Sequence, residues 1–291
     1  MKVITSVKEM HNFSLQMKKE GKTIGFVPTM GYLHEGHLSL VRKAREFSDV
    51  VVVSIFVNPT QFAPNEDFSK YPRDEEKDKL LLSKEGVDAV FIPSAREIYP
   101  DGFQTYVEVT KVTSGLEGES RPTHFKGVTT IVTILFNCVM PDAAVFGQKD
   151  AQQAAVIKRM VNDLKMNINI IVAPIVRESD GLAMSSRNIY LSAKERKDAL
   201  VLSSSLRFAS EMVAAGEREP EKIIQEMKKK IDAVDSSTLD YIKIVDSGSF
   251  EEADILAFGG EYFILIACRI GKTRLIDNVL LEVPVQQVTA P

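Results

Sequence analysis

A doubly wound α/β fold with a mostly parallel sheet, followed by a smaller α+β domain, is the architecture this sequence predicts. Three observations predict it. Strand-like and helix-like patterns alternate from about residue 23 to residue 173, as in a parallel sheet joined by right-handed crossovers. The strand-like runs are continuous Val, Ile and Phe, as expected when both faces are covered. After about residue 176 the order changes to helices followed by strands, which suggests a second, α+β domain.

Taken in order, Thr23 to Val27 reads as a buried strand, and His37 to Phe47, apolar at 38, 41 and 44, as the helix after it. Val50 to Val57, Ala89 to Ile92, Ala143 to Phe146 and Asn169 to Ala173 are the remaining strands of the first half. Asp74 to Glu85, Val128 to Val139 and Ala151 to Leu164 are its remaining helices. In the second half, Ser192 with Glu195 three residues on has the form of a capping box. The helix it opens is predicted to run to about Ala215 and to end at Gly216, with a second helix from Pro220 to Val234. Asp240 to Val245, Tyr262 to Cys268 and Arg274 to Val279 read as three closing strands. The tail Pro284 to Pro291 has no periodicity and reads as disordered.

Composition excludes several classes of function. The chain has 291 residues, 44% hydrophobic and 26% charged, ordinary for a soluble globular protein with an ample core. A net charge of −4 gives no electrostatic reason to expect nucleic acid or a membrane surface. Val50 to Val57 is too short to span a bilayer, and Met1 to Ser6 lacks the apolar stretch of a signal peptide. Cys138 and Cys268 lie in apolar surroundings and read as buried free thiols, so the expected compartment is the reducing cytoplasm.

The chemistry-bearing residues sit where strands hand over to helices. Pro28-Thr29-Met30-Gly31-Tyr32-Leu33-His34-Glu35-Gly36-His37 contains two of the four histidines of the chain. Three roles are open to the pair: a metal site, caps of the turn, or phosphate contact. The zinc-protease pattern needs histidines four apart, so it does not apply. Position at a helix start and the small Gly36 favour close approach of an anion. Gly147-Gln148-Lys149-Asp150 repeats the arrangement after a later strand. Lys149 can reach a phosphate there, Asp150 is a good N-cap, and Gln153 lies one turn further on. Met184-Ser185-Ser186-Arg187-Asn188 offers hydroxyl and guanidinium donors suited to polyphosphate, although Ser-Ser-Arg is common in loops. Asn58-Pro59-Thr60-Gln61-Phe62 and Arg121-Pro122-Thr123-His124-Phe125-Lys126-Gly127 add polar, turn-rich segments of the same kind.

Convergence strengthens each of these readings. The segments after the strands near 27, 57, 146 and 173 would line one crevice in a doubly wound sheet. Neither the Walker motif nor the Gly-x-Gly-x-x-Gly fingerprint occurs. A His-x-Gly-His edge with a Lys, Ser and Arg clamp fits chemistry at an α-phosphate better than γ-phosphoryl or hydride transfer.

Together these motifs resemble those of the pantothenate synthetase (pantoate–β-alanine ligase) family. His-x-Gly-His alone marks only the wider nucleotidyltransferase superfamily. The five motifs in order, from 28 to 188, are specific, and they weigh against a nucleotidyltransferase that stops at nucleotide transfer or a nonenzymatic nucleotide sensor. The resemblance implies a homodimeric ligase in which pantoate attacks the α-phosphate of ATP and β-alanine then captures the pantoyl-adenylate. It also implies Mg²⁺, a Rossmann-like domain over 1–175 for nucleotide and pantoate, and a lid domain over 176–283. Carried over residue by residue, His34, His37 and Lys149 would be catalytic, with His37 read as a donor that stabilises charge. Met30, Gly31, Tyr32, Leu33, His34, Glu35, Gly36, His37, Gly147, Gln148, Lys149, Asp150, Val176, Met184, Ser185, Ser186 and Arg187 would bind ATP. Gln61 and Gln153 would hold pantoate or β-alanine. The resemblance does not assign metal contacts; Asp78 is a candidate. Thr123 stands where the family usually has Gly.

Overall fold

The Val, Ile and Phe runs of the first half become six strands: β1 (Lys2–Ile4), β2 (Ile24–Thr29), β3 (Val50–Ile55), β4 (Ala89–Phe91), β5 (Ala143–Gly147) and β6 (Asn169–Ala173). The computed structural model describes residues 1–62, 68 and 71–285, and the chain divides into two compact units, Met1–Val176 and Arg177–Pro291. All ladders of the six-stranded sheet are parallel, in the order β1-β4-β3-β2-β5-β6. Its main helices are α1 (Val7–Lys19), α2 (Glu35–Arg45), α3 (Glu75–Lys84), α6 (His124–Val139) and α7 (Ala151–Asp163), with short α4 (Ala95–Ile98) and α5 (Glu117–Ser120) before α6.

Both faces of this sheet are covered. On one, Met10 of α1, Ile131 and Leu135 of α6, and Ile157 and Met160 of α7 pack with Phe26, Val52, Phe91 and Phe146. On the other, Leu38 and Val41 of α2 and Leu82 of α3 pack with Val27, Val51, Val53 and Val145. Neighbouring residues of a strand point to opposite faces, so β3 is apolar at four successive positions and buried throughout. The strand order reverses between β2 and β5. From β2 the chain winds outward through β3 and β4, and from β5 it winds the other way to β6. That is where an open α/β sheet leaves a crevice at its carboxyl ends.

Several boundaries differ from the sequence expectation. β1 and α1 have no counterpart in it. Three residues carry no periodicity, and β1 becomes a strand by pairing with β4 at the sheet edge. Ser6 caps α1 by accepting from Glu9 N at 3.2 Å, but only Met10 and Ser14 of that helix are buried, so its pattern is faint. α6 starts at His124, four positions before the predicted Val128, and β3 stops at Ile55 rather than Val57. Thr123 precedes α6 with φ −97°, a conformation that tolerates a Cβ, so it fits without glycine. Asp150 does not cap α7 with its side chain; a 3-10 turn, Gln148–Asp150, leads into that helix instead.

In the second unit the single helix predicted from Ser192 is two, α8 (Ala193–Asp198) and α9 (Leu200–Ala214), followed by α10 (Pro220–Asp232). The capping box is present: Glu195 N donates to Ser192 Oγ at 3.3 Å, and Ser192 N to Glu195 Oε2 at 2.8 Å. The three closing strands, β7 (Ser237–Asp246), β8 (Glu261–Ile270) and β9 (Thr273–Glu282), form an antiparallel sheet in that order. Leu202, Leu206, Ile223 and Met227 pack on its Ile264 and Ile266. Pro284 and Val285 are exposed and irregular; the rest of the predicted tail, 286–291, lies outside the described residues. Cys138 and Cys268 are buried free thiols, and burial pushes both up to about 11.

Three helices end in the same way, and α7 departs from them at the corresponding position. α1, α3 and α9 are followed by a left-handed glycine, Gly21, Gly86 and Gly216. After α7 the same position is Lys165, with φ +54°. There Met166 N donates to Val161 O at 3.0 Å and Lys165 N approaches Asn162 O at 3.4 Å, the bonds of a Schellman motif. A left-handed non-glycine residue costs about 1–2 kcal/mol, more than the extra chain entropy of glycine, about 0.5–1 kcal/mol. Lys165 is exposed, so Lys165→Gly is expected to stabilise the protein by up to about 1 kcal/mol. Urea denaturation should show a higher midpoint with an unchanged slope.

Candidate active site

β2 ends at Thr29, whose hydroxyl donates to Ser54 O at 2.8 Å and accepts from Gly31 N at 3.2 Å. Gly31 (φ +81°) and Tyr32 (φ +52°) then take left-handed backbone in succession. A Cβ on Gly31 would lie 3.0 Å from both Asp78 Oδ2 and Ile55 Cγ2, a tight fit that adds to the preference φ sets for glycine. Tyr32 N and Leu33 N donate to the two oxygens of Asp78, at 2.8 and 2.7 Å. Desolvation raises the Asp78 carboxyl above its ordinary value, and those two backbone donors oppose the rise. The Leu33 side chain is buried in the core beside α2. Glu35 is exposed and pairs with Arg42.

His34 and His37 stand at the start of α2 with ring centroids 4.1 Å apart. His34 Nδ1 accepts from Gly36 N at 3.2 Å, and His37 Nδ1 accepts from His34 N at 3.3 Å. The capping role left open by the sequence is therefore present. It also selects a tautomer: a ring nitrogen that accepts carries no proton, so each neutral imidazole carries its proton on Nε2. Burial, then the electrostatic influence of His34 and of the Lys149 charge, lower the pKa of His37 to about 3. At neutral pH His37 is an uncharged hydrogen-bond donor. Capping and anion contact use opposite sides of the ring and do not compete.

Lys149 enters from the neighbouring strand. It lies in the 3-10 turn after β5, half-buried, with Asp150 Oδ1 3.9 Å from its ammonium. β5 pairs directly with β2, and the Lys149 charge is the least of the three influences that lower the pKa of His37. Gly147 and Gln148 open the same turn, and Gln153 is half-buried in the first turn of α7. Its neighbour Gln152 is buried and does different work. Gln152 Oε1 accepts from Glu117 N, and its amide donates to Val112 O and Gly115 O, each at 2.9 Å.

The motifs at Asn58 and Arg121 form one structural unit. Asn58 Nδ2 donates to Gly127 O at 3.1 Å, and its Oδ1 accepts from Tyr99 Oη at 2.8 Å and Thr60 Oγ1 at 3.0 Å. Its amide is committed to the protein rather than to the sheet edge. Gly127 is needed for close approach, because a Cβ there would meet Thr60 O at 2.5 Å. Gln61 O accepts from His124 Nδ1 at 3.0 Å and Arg121 Nη2 at 3.3 Å, while Arg121 Nη1 meets His124 Nε2 at 3.3 Å. The Gln61 side chain is itself buried, with Nε2 2.9 Å from Met30 Sδ. Gln61 is thereby fixed against the turn that carries the histidines.

Val176 is half-buried and closes the first unit. Met184, Ser185, Ser186 and Arg187 belong to the second, all half-buried. Ser185 Oγ accepts from Arg187 N at 3.2 Å and caps the 3-10 turn Ser186–Tyr190. Asn188 Nδ2 donates to Glu178 Oε1 at 2.9 Å and Ala183 O at 3.1 Å, tying the turn to the preceding loop. That loop starts at Arg177, whose guanidinium grips buried Asp277 at 2.7 and 2.9 Å.

A model of the Pantoate-beta-alanine ligase family matches residues 2–280. The chain belongs to the pantoate-beta-alanine ligase family. It is 56% identical over 281 residues to the pantothenate synthetase of Thermotoga petrophila, covering 97% of this chain and 100% of that protein. It is 55% identical to that of Heliobacterium modesticaldum, with the same coverage. Among solved structures, the pantothenate synthetase of Thermus thermophilus superposes with a TM-score of 0.90 at 42% identity, over 98% of this chain and 100% of that one. The pantoate-beta-alanine ligase of Francisella tularensis, solved with beta-gamma ATP and beta-alanine, gives 0.78 at 37% identity, over 96% of this chain and 97% of that one. The family is one of ligases, and the fold is theirs.

A neutral His37 has a consequence for stability. Between the unfolded value near 6.5 and the folded value of about 3, the unfolded chain binds a proton that the folded protein does not. His37 therefore contributes stability fully above about pH 6.5, and the contribution is lost as pH falls towards 3. The slope from this one group approaches about 1.4 kcal/mol per pH unit. His37→Gln retains a side chain able to complete the capping box but does not titrate. Its urea midpoint is expected to fall less steeply with acidification than that of the wild type, and paired denaturation series from about pH 7 to about pH 4 would measure the difference.

Proposed function

We propose that this chain condenses (R)-pantoate with β-alanine through a pantoyl-adenylate, with ATP converted to AMP and pyrophosphate. The observation that carries this reading is the pair of imidazoles at the β2–α2 turn. Both are set as Nε2–H donors by backbone bonds and stand near Lys149 at the reversal of strand order. Donors of that kind suit the charge that builds on phosphate oxygens during attack at the α-phosphorus. A pantoate carboxylate oxygen forms the new bond to phosphorus, and the bond to the bridging oxygen breaks as pyrophosphate leaves. In the second step the free amine of β-alanine attacks the acyl carbon, the bond to the phosphate oxygen breaks, AMP leaves and the nitrogen loses a proton.

The residue roles follow the geometry. His34 and His37 would donate to phosphate oxygens, with Met30 to His37 forming one wall of the ATP site. Leu33 and Tyr32 would contribute backbone and shape, since their N–H groups are occupied. Gly147 to Asp150 and the backbone at Val176 would hold nucleotide, Lys149 adding the cation. Gln61 and Gln153 would meet pantoate. Met184 to Arg187 would supply donors from the second unit, which the resemblance casts as a lid. The Francisella relative was solved with beta-gamma ATP and beta-alanine, a nucleotide and an amine of the classes this reading requires.

Mg²⁺ is proposed as an ion carried on the triphosphate. Among the described residues no group of three or more His, Cys, Asp or Glu could hold a metal, and both Asp78 oxygens accept from backbone. That donor set does not form a protein cage. Mg²⁺ commonly keeps water and substrate phosphates as ligands. A homodimer and a cytoplasmic location complete the proposal; the described residues hold no helix long and apolar enough to cross a membrane, and sedimentation would test the dimer.

Pyrophosphate exchange into ATP, run with and without pantoate, tests the reading directly. Exchange should require pantoate and not β-alanine. His37→Ala is expected to keep the fold and lose ~10²–10³ in single-turnover adenylate formation; an unchanged rate would remove His37 from the mechanism.

Lys149→Ala separates the two steps. It is expected to slow exchange strongly while preformed pantoyl-adenylate is still captured by β-alanine. Equal losses in both assays would show that Lys149 does not act chiefly on phosphate.

A further inference from the structure

We propose that Asp78 is a positioning residue for adenylation, its buried carboxylate holding the Gly31-Tyr32-Leu33 turn so that the two histidines face the phosphate as Nε2–H donors. This rests on the ligase reading above and deepens it. Asp78 is 1% exposed, and its two oxygens are taken one each by Tyr32 N at 2.8 Å and Leu33 N at 2.7 Å. Successive backbone N–H groups with left-handed residues beside them form an anion-binding concavity. Here the chain supplies its own anion from α3, a helix more than forty residues away in sequence.

Two features show that the carboxylate serves the turn rather than α3. α3 has its own cap, because Asp74 Oδ1 accepts from Lys77 N at 3.2 Å. Tyr32 has φ +52°, unusual for a bulky residue, and such backbone persists only where its surroundings over-determine it. The turn feeds directly into His34, whose backbone N–H fixes the tautomer of His37, while Gly36 N–H fixes that of His34. Movement at Leu33 therefore displaces both donors together, and a displacement of about 1 Å can cost ~10²-fold in rate.

The test joins kinetics to two spectroscopic readouts. Asp78→Asn offers one acceptor oxygen in place of two and leaves Tyr32 N or Leu33 N facing an NH₂ group. It is expected to lower kcat for pantoate-dependent exchange by ~10–100-fold with KM for ATP and pantoate changed less than about threefold. Ring ¹⁵N shifts of His34 and His37 should move away from the Nε2–H pattern. Leu82→Val, a core change on the same helix, should lose stability and keep kcat. In the wild type, the amide protons of Tyr32 and Leu33 should move together along one carboxylate titration, which requires no variant to fold. Exchange by Asp78→Asn within about twofold of wild type would overturn the proposal. So would an equal loss in Leu82→Val, or the absence of a shared titration at Tyr32 and Leu33. Wild type without any pantoate-dependent exchange would defeat the ligase reading itself, and the amide titration and ring tautomers would still show whether Asp78 sets the turn.

Discussion

In a parallel sheet the crossover after each strand must bury an apolar helix face on one side or the other. Where the strand order reverses, the helices that follow adjacent strands leave to opposite faces, and neither covers the strand ends between them. β2 and β5 are that pair here: α2 follows one on its face, and α7 follows the other on the opposite face. The polar groups that end these strands are the ones the fold cannot bury behind a helix. They are His34 and His37 on one side and Gly147 to Asp150 on the other. Residues more than a hundred positions apart thus end neighbouring strands, and the Lys149 charge adds to the burial that lowers the pKa of His37.

These influences settle what kind of group His37 is. A protonated imidazole at this turn would place an Nδ1 proton against His34 N–H, a donor facing a donor. Desolvation and the neighbouring charges act in the same direction. The ring that results holds the helix start with one nitrogen and presents a proton with the other. His124 shows the opposite arrangement. Its Nδ1 faces the carbonyl of Gln61, which can only accept, so its proton sits on Nδ1 and Nε2 faces the Arg121 guanidinium. Three histidines within two motifs carry their protons on different atoms, each set by the backbone group it meets.

Several motif residues hold others in place. Asn58, Arg121, His124 and Gly127 join two loops and fix Gln61 against Met30. Gln152 ties together the segment from Val112 to Glu117, while its neighbour Gln153 is placed towards substrate in the functional proposal. Adjacent glutamines on one helix turn differ by about 100° in direction, which is enough to give one a structural role and leave the other for a ligand.

Much of this was legible in the amino acids alone. Runs such as Val50 to Ile55 are apolar at nearly every position because both faces of the strand are covered, and that local property announces a parallel sheet. The Ser192–Glu195 box and Gly216 mark helix ends because the cap uses only nearby residues. His-x-Gly-His and Gly-Gln-Lys-Asp stood out because polar residues between an apolar strand and an amphipathic helix have few structural uses. Other features had no local signal. β1 is three residues that become a strand only by pairing with β4. The helix break at Ala199 and the early start of α6 at His124 depend on what the turns meet. Asp78 reads in sequence as one more acidic residue in a charged helix, and at most as a metal candidate; its bonds to Tyr32 and Leu33 exist only after β3 and α3 have brought it back to the β2 turn. Local patterning determined the elements and the chemical groups at their ends. Tertiary structure decided which groups meet and, for His124, which nitrogen carries its proton, because hydrogen-bond partners distant in sequence are chosen by packing rather than by periodicity.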